Sequence, residues 1–187
     1  LSQWDADPPP ATFCDPEVSG GLAIDCGVHE FDLAEWLTGL AVERVRGIPL
    51  PLVDAELGAA GDVDNLLALL HLSDGAVATV DLSRNARYGD DVRTEILGSE
   101  GAVLIDTLPA AGARIGTAAG MTALPGSQSD DAMAAGVAGQ ALAFAAAVRG
   151  EDPGVPRAGA STRSLRIGRA VTASAAEGRE ITVAPPA

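Results

Sequence analysis

The stretch that sets the expected fold runs from residue 19 to residue 39 and reads SGGLAIDCGVHEFDLAEWLTG. No proline interrupts it, and apolar residues recur at helical spacing from about residue 25 to residue 38. Gly39 stands where a glycine commonly ends a helix. The pattern therefore predicts one helix over residues 25–38, and the apolar character of much of its surface predicts that it is largely buried.

The same helix carries a stripe of three ionisable side chains, those of Asp25, His29 and Asp32. Their spacing is i, i+4, i+7, and at about 100° per residue they fall within about 60° of one another. Because the rest of the helix is mostly apolar, we expect this stripe to face a cleft or another domain.

The spacing leaves three interpretations of this stripe. A carboxylate beside an imidazole orients the ring and raises its basicity, which would make His29 a general base. Alternatively, Asp25 caps the helix N-terminus and His29 bonds to a neighbouring carbonyl group. The third is a facial triad for iron, but its spacing is unusual and the second histidine of an H-E-x-x-H motif is missing. We therefore predict no metal site, and the first two interpretations stay equally open.

The composition limits the class of protein. With 187 residues and 47% hydrophobic residues the chain has material for one domain over residues 1–187, and 3% aromatics predict a core of small aliphatic side chains. A net charge of −14 argues against nucleic acid or an anionic membrane as partner and favours a small neutral or cationic one. Cys14 and Cys26 form no disulfide framework and no apolar run reaches membrane length, so we expect a cytoplasmic protein.

Beyond this helix the pattern changes to strands, followed by two further helices. The expected strands of the sheet cover residues 42–51, 64–72, 76–82, 92–97, 102–106 and 113–117. The expected helices cover residues 131–149 and 160–177, and residues 181–183 are expected to add a last short strand. The residues before about 18 and those from 120 to 130 are expected to be extended or loop-like. The whole predicts an α+β fold, with one open, mostly antiparallel sheet of about five or six strands and helices on one face.

Several segments resemble one known family. Residues 19–39 are similar to the GG-x-x-x-D-x-x-x-H-x-x-D-x-x-x-W-L-x-G signature of the Gfo/Idh/MocA family of NAD(P)-dependent oxidoreductases, and especially of its inositol 2-dehydrogenase branch. Residues 88–101, YGDDVRTEILGSEG, resemble its Y-G-x-D-x-R-x-E-I-x-G-x-x-G strand and turn. Residues 64–75 and 144–183 resemble its first hairpin and its closing helices and strand. The resemblance implies the C-terminal, substrate-side domain of such an enzyme, with a fold like that of glyceraldehyde-3-phosphate dehydrogenase.

The resemblance also implies roles for four residues and a substrate class. His29 would take the hydroxyl proton of a polyol or sugar while hydride leaves the same carbon for the nicotinamide of NAD or NADP. Asp25 would position that hydroxyl and the imidazole, Asp32 would contact substrate hydroxyls, and Tyr88 would line the pocket. The family associates through its exposed sheet face, so a homo-dimer or homo-tetramer is expected.

Two parts of the family pattern are missing from the sequence. None of the 22 glycines belongs to a G-x-G, and all twelve basic residues are arginine, so neither the Rossmann fingerprint nor the lysine of the family's E-K-P motif is present. We therefore expect this chain to lack the Rossmann domain, to leave the cofactor mainly to residues outside it, and to be inactive alone. A fragment and a natural stand-alone domain both remain open, and so does a non-catalytic sugar-binding or assembly module.

Overall fold

The computed structural model describes residues 15–52, 55–85, 91–106, 112–125, 129–152, 154 and 158–185. The helices are α1 (Pro16–Ser19), α2 (Leu22–Asp25), α3 (Gly27–Thr38), α4 (Ala55–Ala60), α5 (Ser129–Val148) and α6 (Ala158–Glu177). The strands are β1 (Val42–Leu50), β2 (Asn65–Leu72), β3 (Val77–Ser83), β4 (Arg93–Leu97), β5 (Ala102–Asp106), β6 (Gly112–Thr117), β7 (Gly120–Pro125) and β8 (Ile181–Thr182).

Two successive glycines turn the chain into the α2–α3 segment. Gly20 and Gly21 have φ values of 85° and 71°, a left-handed conformation that residues with a Cβ adopt at a cost. Helix α1 precedes them, so the expectation of a non-helical start is wrong for residues 16–19. Asp15 caps this single turn and Pro16 occupies its first position, which is where proline suits a helix. Residues 1–14 lie outside the described residues.

The predicted single helix over 25–38 is wrong at its start, because Asp25 is the last residue of α2 and α3 begins at Gly27. At the start of α3, the N–H group of His29 bonds to the carbonyl of Cys26, only three residues back. The regular series of α-helical hydrogen bonds is therefore interrupted between α2 and α3. The predicted end is confirmed: Gly39 closes α3 with a φ of 69°. The helix is less buried than expected, with Gly27 and Phe31 as its fully buried residues.

The strands that the structure describes form two four-stranded antiparallel sheets, where the sequence predicted one sheet. Their strand orders are β3-β2-β1-β8 and β4-β5-β6-β7. The chain divides into two compact units, residues 1–89 with 157–187 and residues 90–156, and each contains one sheet. The α+β class and the antiparallel pairing are confirmed. The division into two sheets was not predicted, because a sequence pattern indicates single strands but not which strands pair with one another. A single domain over 1–187 stays a prediction.

In the first unit, helices cover one face of the sheet, as predicted. Strand β2 alternates strictly, with Leu66, Ala68, Leu70 and Leu72 buried and the residues between them partly exposed. Phe31 from α3 is the one aromatic side chain among the described core residues, which agrees with a core of small aliphatic groups. Such a core allows close approach of the backbones.

In the second unit, two hairpins form the sheet, β4 with β5 and β6 with β7. The prediction of a loop over 120–130 is wrong for β7, because the flanking Gly, Ser and Pro residues obscured a short apolar run that pairs with β6.

Helices α5 and α6 confirm the two predicted helical runs. None of the helices described here combines the length and the apolar character needed to span a bilayer.

Candidate active site

Asp25 forms an ion pair with a buried arginine, Arg84. Its Oδ2 lies 3.0 Å from Nη2 of Arg84 and 3.5 Å from Sγ of Cys26. The Arg84 side chain is 6% exposed, whereas that of Asp25 is 34% exposed. No described residue forms a hydrogen bond with the other carboxylate oxygen, Oδ1. The interpretation of Asp25 as a helix cap is therefore wrong: Cys26 is the N-cap of α3, and no side chain bonds there.

Arg84 is placed by the residues around the end of β3. Its backbone N–H donates to the carbonyl of Asp64 over 2.9 Å. The buried Asp64 carboxylate accepts from the N–H of Leu52 at 2.8 Å and from Nδ2 of Asn85 at 3.0 Å. The end of β3, the start of β2 and the chain after β1 are thus joined at one buried acid, and Arg84 projects from this junction to Asp25. The sequence reasoning missed Arg84, because its partner lies 59 positions away.

His29 lies in the first turn of α3 and is exposed. No hydrogen bond joins its imidazole to any described residue, so the expected bond to a neighbouring carbonyl is not found in this part of the chain. A ring that is already positioned by its helix but is free of internal partners can accept a proton from a bound molecule.

Asp32 follows one turn later and is partly buried. Its Oδ1 accepts a hydrogen bond from the hydroxyl of Ser164 on α6, over 3.0 Å. The partner lies 132 positions away, and no local pattern announced it. Asp25, His29 and Asp32 thus occupy one segment of the first unit, while Tyr88 lies outside the described residues.

The described residues of this segment form neither a metal centre nor a Rossmann-type pyrophosphate site. Within the described ranges, no group of three or more His, Cys, Asp or Glu side chains is arranged to hold a metal ion, so the facial-triad interpretation is wrong for this structure. The described strand pairs are all antiparallel, so no described βαβ unit offers a helix N-terminus to a pyrophosphate. The carboxylates and the imidazole suit the hydroxyl groups of a neutral ligand.

The family comparison agrees with this fold and this segment. The model of the GFO/IDH/MocA C-terminal domain matches residues 1–104. An inositol 2-dehydrogenase of Rhizobium meliloti is 31% identical over 187 residues, covering 98% of this chain and 56% of that protein. The chain belongs to the Gfo/Idh/MocA family and corresponds to its C-terminal domain.

Other relatives point the same way. A myo-inositol 2-dehydrogenase of Thermotoga maritima is 41% identical over 108 residues, covering 58% of this chain and 32% of that protein. Among solved structures, scyllo-inositol dehydrogenase from Lactobacillus casei with bound NAD(H) and scyllo-inositol matches 92% of this chain and 51% of its own, with a TM-score of 0.75 and 25% identity. Where nearly the whole chain is matched, it spans about half of the length of these proteins.

Proposed function

We propose that this chain is the substrate-side domain of an NAD(P)-dependent dehydrogenase that oxidises a CH–OH group of an inositol-like polyol or a sugar. One observation carries the proposal: an exposed imidazole, that of His29, follows a partly exposed carboxylate that Arg84 holds by one oxygen. The relatives support it, since several are inositol dehydrogenases by name.

The residues of this chain account for the proton side of such a reaction. Oxidation of a CH–OH group removes a proton from oxygen and a hydride from carbon. His29 takes the hydroxyl proton, and the Asp25 carboxylate orients the hydroxyl and stabilises the resulting imidazolium. Asp32 accepts a hydrogen bond from a second hydroxyl of the substrate, and Tyr88 lines the pocket. The hydride acceptor, NAD or NADP, is held mainly by residues outside those described.

The assembly and the location form part of the same proposal. The side of β2 that faces away from the helices presents Leu67 and Leu69, which are partly exposed. We propose that this sheet face joins copies of the protein in a homo-dimer or homo-tetramer. The cytoplasmic location remains a prediction from the sequence.

A non-catalytic polyol-binding or assembly module with the same fold is the second candidate. A protein that acts without the family's E-K-P lysine, a residue type that this sequence lacks, would bind a polyol without turnover. The dehydrogenase and the polyol-binding module both require a polyol at the His29 segment and differ in turnover, whereas an assembly module requires no polyol.

The decisive experiment uses the gene product that contains this chain. It is incubated with NAD⁺ or NADP⁺ and a panel of inositol isomers and simple sugars, cofactor reduction is followed spectroscopically, and polyol binding is measured by calorimetry. The dehydrogenase predicts cofactor reduction with at least one polyol. The polyol-binding module predicts binding without reduction. A protein that shows neither contradicts the dehydrogenase and the polyol-binding module and leaves only an assembly role.

A further inference from the structure

We propose that Arg84 is a positioning residue of the polyol site, an inference that rests on the proposed function. It holds the Asp25 carboxylate by Oδ2, so that Oδ1 is directed to the substrate hydroxyl or to His29. Neither the sequence patterns nor the motifs quoted above assign a role to this arginine.

The first argument is the contrast in burial across the pair. A guanidinium that is 6% exposed requires a counter-charge, because a buried charge without a partner is costly. The partner, however, is 34% exposed. The arginine therefore restrains a carboxylate that stays partly accessible to a bound molecule.

The second argument is the support behind Arg84. Asp64 is 1% exposed, and its carboxylate accepts hydrogen bonds from Leu52 and Asn85. Its backbone carbonyl accepts a hydrogen bond from the N–H of Arg84. Since Arg84 lies immediately after β3, the rigid sheet fixes its position. Asp25, by contrast, lies at the break between α2 and α3, where the helical ladder supplies less restraint. The ion pair therefore ties the Asp25 side chain, at the junction of α2 and α3, to a residue that the sheet holds in place.

The third argument is a comparison with a second arginine–carboxylate pair among the described residues of the first unit, which is partly buried. Nε of Arg163 lies 3.2 Å from Oε1 of Glu35, with side chains 11% and 20% exposed. The same Oε1 also accepts from the N–H of Val42 at 2.6 Å, and Arg163 also donates to the carbonyls of Val42 and Ala184. That pair is enclosed by backbone and serves the fold. Both carboxylates are bound through one oxygen, but Asp25 is the more exposed, at 34% against 20% for Glu35, and no backbone N–H of the described residues bonds to it.

The test is a double-mutant cycle in the complete gene product, with Arg84→Gln, Asp25→Asn and the double variant. Arg84→Gln is expected to lower kcat/KM for the polyol roughly 10- to 100-fold, the loss typical of outer-shell partners of functional groups, with the KM of the dinucleotide unchanged. Because Arg84 acts through Asp25, the same substitution in the Asp25→Asn background should lower kcat/KM by less than about threefold. Arg84→Lys, which keeps the charge, should restore part of the loss.

Arg163→Gln is the matched control. It should lower the melting temperature while kcat stays within about threefold of the parent, equally in both backgrounds. The proposal is overturned if folded Arg84→Gln retains full activity, or if its loss multiplies fully with that of Asp25→Asn. If Arg84→Gln does not fold, the cycle is built with Arg84→Lys and judged by the same non-additivity.

A crystal structure of the Arg84 variant supplies a readout that is independent of turnover. A rotated Asp25 carboxylate on an otherwise unchanged α2–α3 segment supports the positioning role, even if the protein oxidises no polyol and the proposed function fails. An Asp25 side chain that stays in place without Arg84 overturns the positioning role, whatever the activity.

Discussion

At the scale of single residues, His29 and Asp32 differ in what holds them. Among the described residues no group bonds to the imidazole of His29, in the first turn of α3, whereas Asp32 accepts a hydrogen bond from Ser164 of another helix. A base must be free to accept a proton, and a hydroxyl-binding carboxylate benefits from a fixed position. The two residues should therefore respond differently to substitution.

Replacement of His29 by alanine should lower kcat of the gene product roughly 10²- to 10⁴-fold, the usual contribution of a general base. Steady-state rates of cofactor reduction measure this. His71→Ala is the matched control, because His71 is the second histidine of the chain and pairs with Glu180 at 3.1 Å on the sheet. Unchanged turnover in His29→Ala would remove His29 from the mechanism, and equal losses in both variants would point to a general effect on folding.

Replacement of Asp32 by alanine should mainly raise the KM for the polyol. A hydrogen bond to a charged group is worth about 1.5–3 kcal/mol, which corresponds to roughly a 10- to 100-fold increase. Ser164→Ala should shift KM in the same direction by less, because the carboxylate remains but loses its anchor. Glu30→Ala, on the same helix, is the control and should leave KM unchanged. A normal KM in Asp32→Ala would place substrate binding elsewhere.

The sequence drew attention to three residues of this candidate site and not to two others, for a physical reason. Asp25, His29 and Asp32 lie within eight consecutive residues, so their spacing can be recognised in the sequence of that segment alone. Arg84 and Ser164 reach these residues only through tertiary packing, over 59 and 132 positions. These two contacts therefore became visible only in the folded chain.

At the scale of secondary-structure elements, the site segment depends on close packing of α6 against β1 and α2. A Cβ on Gly47 of β1 would lie 2.5 Å from the carbonyl oxygen of Val171, and one on Gly168 of α6 would lie 3.0 Å from the carbonyl oxygen of Ala23. Backbone atoms cannot move aside as a flexible side chain can. These two glycines let α6 approach both elements.

Gly47→Ala should therefore lower the free energy of unfolding by about 1–3 kcal/mol, the usual cost of overpacking. Thermal or urea unfolding measures it. Gly58→Ala in α4 is the control: nothing lies within 4 Å of the added methyl group, and it should raise the free energy of unfolding by about 0.4–1 kcal/mol. Equal effects of the two substitutions would contradict this account of the packing.

The elements that were predicted differ from those that were not in how far their sequence periodicity extends. Strand β2 and helix α6 were predicted because their periodicity extends over many residues. The break at Cys26 and strand β7 were not predicted, since a helix junction and a strand flanked by Gly and Pro leave little periodic signal. Turns and breaks are decided by the backbone conformations that the surrounding fold requires.

At the scale of the whole molecule, the predicted association through the first sheet is open to a direct test. Light scattering after size exclusion should give the mass of a dimer or tetramer for the unsubstituted protein. Leu69→Arg, which places a charge on the side of β2 away from the helices, should reduce that mass. Val18→Arg adds the same charge at an exposed position on α1 and should not. A monomer in the unsubstituted protein would contradict the prediction.

The central claim is that a polyol binds at the Asp25–His29–Asp32 segment with a hydroxyl directed to the imidazole. A crystal structure of the complete gene product with a polyol and a nicotinamide dinucleotide tests it most directly. The account predicts a substrate hydroxyl oxygen about 2.6–3.2 Å from a ring nitrogen of His29. It also predicts that Asp25 remains on Arg84 through Oδ2. A polyol bound elsewhere, with His29 facing only solvent, would contradict the claim.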